Sequence, residues 1–244
     1  MSKAYVDLHV HSALSPCGEE EMTPNNIVNM ALIKELHMIA ITDHNAIGNV
    51  LPAIKAAEGK SIVVVPGIEL TSQEEVHLLA YFETYETLKM FYKEIQTALP
   101  GMDNRPHIFG RQLLFDENDT ILGEDSRLLM NALQISFDRL VQMISHHGGV
   151  PVPAHVDRDS FSVYANLGFM PGNLPIKVVE VMRNHGRALT PAIQEELAAY
   201  CQIRSSDAHN LANILEQVFF IELEQISKES LFRWLKDPRQ ENAS

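Results

Sequence analysis

Short apolar runs recur along this chain, and most of them stop on a histidine or an acid. MIAIT runs into Asp43 and His44, SIVVVPGI into Glu69, VPVPA into His155, and IRSS into Asp207 and His209, while VHLLAYF carries His77 near its start. At the N-terminus Asp7, His9 and His11 fall two apart in a strand-like run, so their side chains leave one face. Ionisable groups directly after apolar strands are costly unless they are paired or ligated. Their recurrence at strand ends calls for a fold that gathers those ends around one pocket, as parallel α/β barrels do.

Strands are expected over residues 4–10, 38–42, 61–65, 76–82, 150–154, 177–181, 202–205 and 217–223. Several are almost continuously apolar, which suits parallel strands covered on both faces. Helical patterns lie between them: from Pro24, capped by Thr23, to about residue 36, then over 46–58, 85–99, 137–146, 191–200 and 228–235. The alternation predicts a parallel α/β architecture. With 244 residues, 45% of them hydrophobic, residues 1–244 are expected to form one domain. The rhythm breaks over residues 100–136, read as an inserted subregion near the active site. Within it, residues 116–127 superficially resemble a calcium loop, but Ile121 stands where glycine is required and Arg127 where glutamate is.

The donor types narrow the chemistry. Imidazoles and carboxylates without a cysteine cluster suit Zn, Mn or Fe rather than a structural thiolate zinc site. His9, His11, His44, Glu69, His77, His155, Asp207 and His209 are too many for one tetrahedral ion and about right for two or three divalent metal ions. Asp7 is expected to hold one imidazole in its ligating tautomer. Asp43 is read as an orienting group rather than a nucleophile, and Arg158 as a guanidinium that grips phosphate. His107 and His185 are candidates for reaching substrate; His37 is expected to be structural, and His146 and His147 to end a helix. Cys17 and Cys201 cannot build a disulfide framework, which points to a reducing compartment. Residues 1–11 carry no secretory core and no apolar run nears bilayer length, so a cytoplasmic protein without membrane contact is expected. Nineteen Lys and Arg against 32 Asp and Glu give a net charge of −13, which argues against long nucleic acid as a partner while allowing a small anion.

DLHVHS at residues 7–12, ITDHN at 41–45, PGIELTS at 66–72, HLLAYF at 77–82, PAHVDR at 153–158 and SSDAH at 205–209 together resemble, in order, the motifs of the PHP (polymerase and histidinol phosphatase) family of metal-dependent phosphoesterases. The resemblance implies a distorted (β/α)7 TIM-like barrel, the PHP fold, here with a small insertion, and metals at the C-terminal strand ends. It implies His9, His11, Glu69 and Asp207 around one metal, a bridging Glu69 with His77 and His155 around a second, and His44 and His209 at a third. Where many members place another third-site ligand, this chain has Pro16 and Cys17; Cys17 could ligate as a thiolate, Glu19–21 could substitute, or the site could be weak. The implied activity is hydrolysis of a small phosphorylated metabolite or nucleotide phosphate by metal-activated water. Histidinol phosphate and an amidohydrolase-like reaction stand as alternatives. Against the latter, amidohydrolase barrels generally want a metal-bridging lysine, and Lys177 begins its strand rather than ending it. A module keeping metal without catalysis would be expected to lack ligands.

Overall fold

The computed structural model describes residues 1–182 and 189–238. Its strands are β1 (Ser2–Val10), β2 (Met38–Ile41), β3 (Val63–Thr71), β4 (His77–Tyr81), β5 (Leu113–Phe115), β6 (Ile121–Glu124), β7 (Val150–Pro153), β8 (Val178–Met182), β9 (Cys201–Ser205) and β10 (Phe220–Leu223). Six of them form a curled sheet in the order β10-β1-β2-β3-β4-β7; β8 and β9 form a separate parallel pair, and β5 and β6 a hairpin. β8 lies beside β7 and β9 beside β1. The architecture is α/β, as expected.

The sheet is not uniformly parallel. β1, β2 and β3 run parallel, whereas β4 is antiparallel to both β3 and β7, and β10 is antiparallel to β1. Only five residues, 72–76, separate β3 from β4; a parallel return needs a crossover of a dozen or more. β3 also continues through Pro66 and Gly67 to Thr71, so Glu69 stands inside a ladder rather than after it.

Helices Pro24–Ile33, Tyr85–Ile95, Phe137–His146 and Lys228–Lys236 are each capped by the side chain of a preceding Thr or Ser, as N-terminal amides require. Their apolar faces close over the sheet. Ile27, Val28, Phe91, Phe137 and Leu140 enter one core cluster, while Leu231, Phe232 and Trp234 enter a second with Val6, Leu8 and Ile221. Residues 100–136 hold a single-turn helix, Pro106–Phe109, and the β5–β6 hairpin. The Asn45 side-chain amide donates to the Leu129 and Asn131 carbonyls, and that of Asn49 to the Leu113 carbonyl. In place of a calcium loop, Asp116 Oδ1 accepts from the Asn118 and Thr120 amides. Among the described residues, no helix is long and apolar enough to cross a membrane.

Candidate metal centre

The eight predicted ligands meet in one place. His9 is the penultimate residue of β1 and His11 follows the strand; Glu69 and His77 sit on diagonal positions of one face of the β3–β4 ladder; His155 follows β7, and Asp207 and His209 follow β9. The segment carrying His44 is fastened to β3, since the Asn45 amide donates to the Glu69 carbonyl and the Glu69 amide to the Asp43 carbonyl. Asn45, His155 and Asp207 have φ of 47°, 29° and 51°, a region that residues with a Cβ seldom occupy and that clusters at functional sites.

Glu69, fully buried, is the hub. One carboxylate oxygen lies 2.9 Å from His77 Nδ1, 3.3 Å from His9 Nε2 and 3.4 Å from His155 Nε2; the other lies 2.9 Å from His44 Nδ1 and 3.3 Å from His11 Nε2. Asp207 Oδ1 is 3.3 Å from His9 Nε2 and 3.1 Å from His11 Nε2. These approaches lack hydrogen-bond geometry in an informative pattern: both Glu69 oxygens, His44 Nδ1, His77 Nδ1 and both nitrogens of His155 are buried without a hydrogen-bond partner. Unpaired buried polar atoms are rare and costly, so a converging set of them needs a ligand. The donor atoms of His11, His44 and His209 lie within 4.8 Å of one another, as do those of His9, His11 and Glu69 and those of His44, Glu69 and His77. Three overlapping sets, rich in imidazole and sharing one carboxylate, fit divalent cations.

Tautomers are fixed from behind. Ser15 Oγ donates to Asp43 Oδ1 at 2.7 Å, so it accepts from His11 Nδ1 at 2.8 Å and leaves the Nε2 lone pair facing the cluster. Asp43, fully buried, also accepts from the Ser12 amide and hydroxyl and so ties Ser12 to Ser15. The group behind His9 is not Asp7. β1 shifts register against β2 between Asp7 and Val10, which breaks strict alternation, and Asp7 instead accepts from the Ser206 and Leu215 amides. His9 Nδ1 donates to Glu180, 2.9 and 3.1 Å from its two carboxylate oxygens, and Glu180 also accepts the His155 amide at 3.0 Å. Sequence reasoning missed Glu180; its signal is a lone acid in the apolar strand VVEVM.

Charge follows this geometry. Burial lowers His44 to about 4 and His209 to about 3, with the positive charge of His11 adding to both. Burial also opposes charge on His11, yet in metal-free protein the neighbouring carboxylates of Asp207 and Glu69 outweigh it and raise the group to about 9. Burial disfavours the Glu69 carboxylate too, but His77, His9 and His44 hold it well below its ordinary value.

The remaining candidates fall around the rim. Arg158 donates from Nη1 to Asp207 Oδ2 at 3.0 Å, its side chain 41% exposed. Cys17 belongs to none of the converging sets among the described residues. It is exposed as a residue, yet burial and the charges of Glu69 and Asp207 push its thiol up to about 12. Glu19–21 are exposed. Gly18 is packed so that a Cβ would lie 2.6 Å from the Ser12 carbonyl, and one on Gly110 would lie 2.6 Å from that of Pro16. Residues 100–136 thus press on the turn after His11 and leave beside it a cleft of about 390 Å³, lined by Cys17, Ile108, Phe109 and Met130 among others. A second cavity of about 190 Å³ touches His155, Glu180 and Asp207. A larger groove of about 470 Å³ beside Arg233 and Trp234 contains none of the cluster. His107 is exposed on the short helix, and His185 lies outside the described residues. Elsewhere, His37 Nδ1 accepts the Tyr5 amide, and His147 ends its helix 3.1 Å from Glu94.

Residues 7–168 match the PHP domain family. No curated protein matches the chain. Among solved structures, a lesion-specific endonuclease from Pyrococcus furiosus is similar with a TM-score of 0.72 at 16% identity, over 98% of this chain and 57% of that one. An endonuclease Q complexed with a 27-mer duplex substrate, with an abasic lesion at the active site, gives 0.71 at 16% identity over the same shares. An amidohydrolase from Chromobacterium violaceum with bound sulfate gives 0.57 at 18% identity, over 96% of each chain. The chain therefore spans 57% of the length of these endonucleases. The duplex complex overturns the expectation that an acidic chain of this kind has no long nucleic-acid partner. A net charge of −13 sums distant surface groups, whereas phosphate responds to the local field, where bound cations are the largest charges.

Proposed function

The chain belongs to the PHP domain family, and from that premise we propose that it is a phosphoesterase working with two or three divalent ions, Zn, Mn or Fe. The observation that carries this reading is the set of buried, hydrogen-bond-free oxygens and nitrogens converging on Glu69. His9, His11, Glu69 and Asp207 would hold one ion, Glu69, His77 and His155 a second, and His44 and His209 a third. When bound, such ions polarise a phosphoryl group, activate water at neutral pH and offset charge on the attacked phosphorus. Seven strands, β1, β2, β3, β4, β7, β8 and β9, are read as the ring of a distorted barrel, with side-by-side seams at β7–β8 and β9–β1 in place of continuous ladders.

The chain's own residues do the positioning. Glu180 and the Ser15–Asp43 pair keep His9 and His11 in the tautomers that aim Nε2 inward. Arg158, half in solvent, has one Nη1 hydrogen bond with Asp207, and its other donors would take phosphate oxygens in a fork. The esters that suit this rim are those of nucleotides, free or within a strand; the fold shared with the endonucleases supports the strand, and the small-metabolite reading extends to histidinol phosphate.

A metal-verified panel of phosphomonoesters and phosphodiesters, assayed with Mn²⁺ and Zn²⁺, tests the proposal. Turnover that disappears in Asp207→Ala supports it, and absence of turnover on every ester with metal bound overturns it. The likeness to an amidohydrolase motivates a second reading, C–N bond hydrolysis, to be assayed in the same panel. Lys177, just before β8, pairs with Asp237 and does not supply a bridging lysine.

A further inference from the structure

We propose that Phe161 is a specificity-determining residue, the stacking surface for a planar, nucleobase-like group on the substrate; this rests on the phosphoesterase reading and names the part of the ester that lies away from phosphorus. Four observations point to it. The Phe161 ring stacks on the His77 imidazole, with centroids 4.8 Å apart and planes 24° from parallel. It thus stands one ring thickness from a side chain whose Nδ1 is 2.9 Å from Glu69. Phe161 is nevertheless 40% exposed, so one face of the ring is committed to His77 and the remainder looks outward beside the centre.

The backbone holds it there at a cost. Phe161 has φ of 55°, left-handed for a bulky residue whose own preference is extended. The conformation is imposed by the loop: the His77 amide donates to the Phe161 carbonyl at 2.9 Å, Ser162 Oγ donates to the Arg158 carbonyl at 2.7 Å, and the Arg158 amide donates to the His155 carbonyl at 2.9 Å. Glycine would occupy this position without strain. At 40% exposure the ring gains less from burial than a core aromatic would, while the backbone here favours glycine, and strained positions of this kind collect at ligand-binding sites. The same loop carries Arg158, three residues earlier. A phosphate against Arg158 and the centre therefore leaves its ester substituent within reach of the free ring face, and base–aromatic stacking there is independent of base identity.

The probes are the methylenephosphonate analogues of adenosine 5′-monophosphate and ribose 5-phosphate, which differ only in the base and cannot be hydrolysed. Their binding to the Mn²⁺-loaded protein is measured by calorimetry. The parent is expected to prefer the base-bearing analogue, and Phe161→Gly to lower that preference by about tenfold while keeping its metal content; Phe161→Tyr, which restores a ring, is expected to recover it. An equal affinity of the parent for both analogues overturns the proposal. So does a preference that is the same in Phe161→Gly, or a loss of both ligands in step with lost metal, which would mark the ring as a mere shield for His77. Because binding is read without turnover, this result and the panel of ester hydrolysis fail or succeed separately.

Discussion

Glu180 occupies the middle of an apolar strand and is almost fully buried, with its carboxylate committed to His9 Nδ1 and the His155 amide. Carboxylates behind a ligating imidazole commonly change metal affinity by 10–100-fold when removed. Glu180→Gln, which keeps the shape but loses the charge, is expected to weaken metal binding by about tenfold with little change in fold, and Glu180→Ala by more; competition with a coloured chelator measures both. An unaltered affinity in Glu180→Ala would separate Glu180 from the centre. The same imidazoles set a pH dependence in metal-free protein. His44 and His209, at about 4 and about 3 in the fold, have an ordinary value of 6.5. Between those limits the unfolded chain binds protons that the folded one refuses, so stability falls on acidification below pH 6.5. His11, raised to about 9 from the same 6.5, contributes fully below pH 6.5, and its contribution is lost as pH rises through about 9. Metal-free protein should therefore melt highest near neutrality, with His209→Gln flattening the acid limb in a calorimetric scan. A melting temperature that climbs steadily from neutral pH toward acid would contradict this assignment.

At the scale of elements, what could be read from sequence depended on whether a segment had one dominant reason for its form. The apolar runs of β1, β2 and β7 and the capped helices have such a reason, as does the meeting of their terminal histidines and acids. The reversal at β4 is legible too, since even the expected link, residues 66–75, falls short of the dozen or more that a crossover needs; the predicted parallel architecture hides it, and the structure shortens the link to the five residues after Thr71. Strict alternation misplaces Asp7, because it assumes an unbroken strand and the shift in β1 breaks it. Residues 100–136 were legible only as an interruption. Their shape depends on distant partners such as Asn45, Asn49 and the Pro16 turn, which no local pattern encodes. One such partnership is testable. Asp119, in the turn of the β5–β6 hairpin, accepts from Thr23 Oγ1 at 2.6 Å and from the Asn25 amide at 3.0 Å, supplementing the cap of helix Pro24–Ile33. Asp119→Ala is expected to cost about 1 kcal/mol, read as a lower urea midpoint with the slope retained; Asp119→Asn, which tolerates the positive φ of this position, should cost less. An unchanged midpoint for Asp119→Ala would mean that Thr23 alone satisfies the helix end.

Across the whole molecule the centre lies on the seams. Among the described residues, the β8–β9 pair and the segment after it touch the main sheet through few backbone bonds: the bridge between Val10 and Ala208, made by the His11 amide to the Ala208 carbonyl and the Ala208 amide to the His9 carbonyl, and a bond from the Val156 amide, after β7, to the Glu180 carbonyl. Side chains of the cluster cross the same gaps, Asp207 toward His9 and His11, Glu180 toward His9 and the His155 amide. Cations held there would tie β9 to β1 and leave β8 anchored through Glu180, whereas without them Glu69 and Asp207 repel across a buried space. Metal is thus expected to stabilise the protein unevenly. At an ion concentration 100 times the dissociation constant, linkage gives about 2.7 kcal/mol, or roughly 5–10 °C in Tm for a chain of this size. Chelation should also raise amide hydrogen exchange most in β8, β9 and the segment after β9, and least in β2 and β3, which keep continuous ladders. Exchange that rises equally in every strand would mean that the cluster stabilises the fold only as a whole. Unchanged exchange and Tm would mean that the ions contribute nothing to holding the β8–β9 pair in place, and that the backbone bonds across the seams and the side-chain contacts of Asp7 and Glu180 suffice.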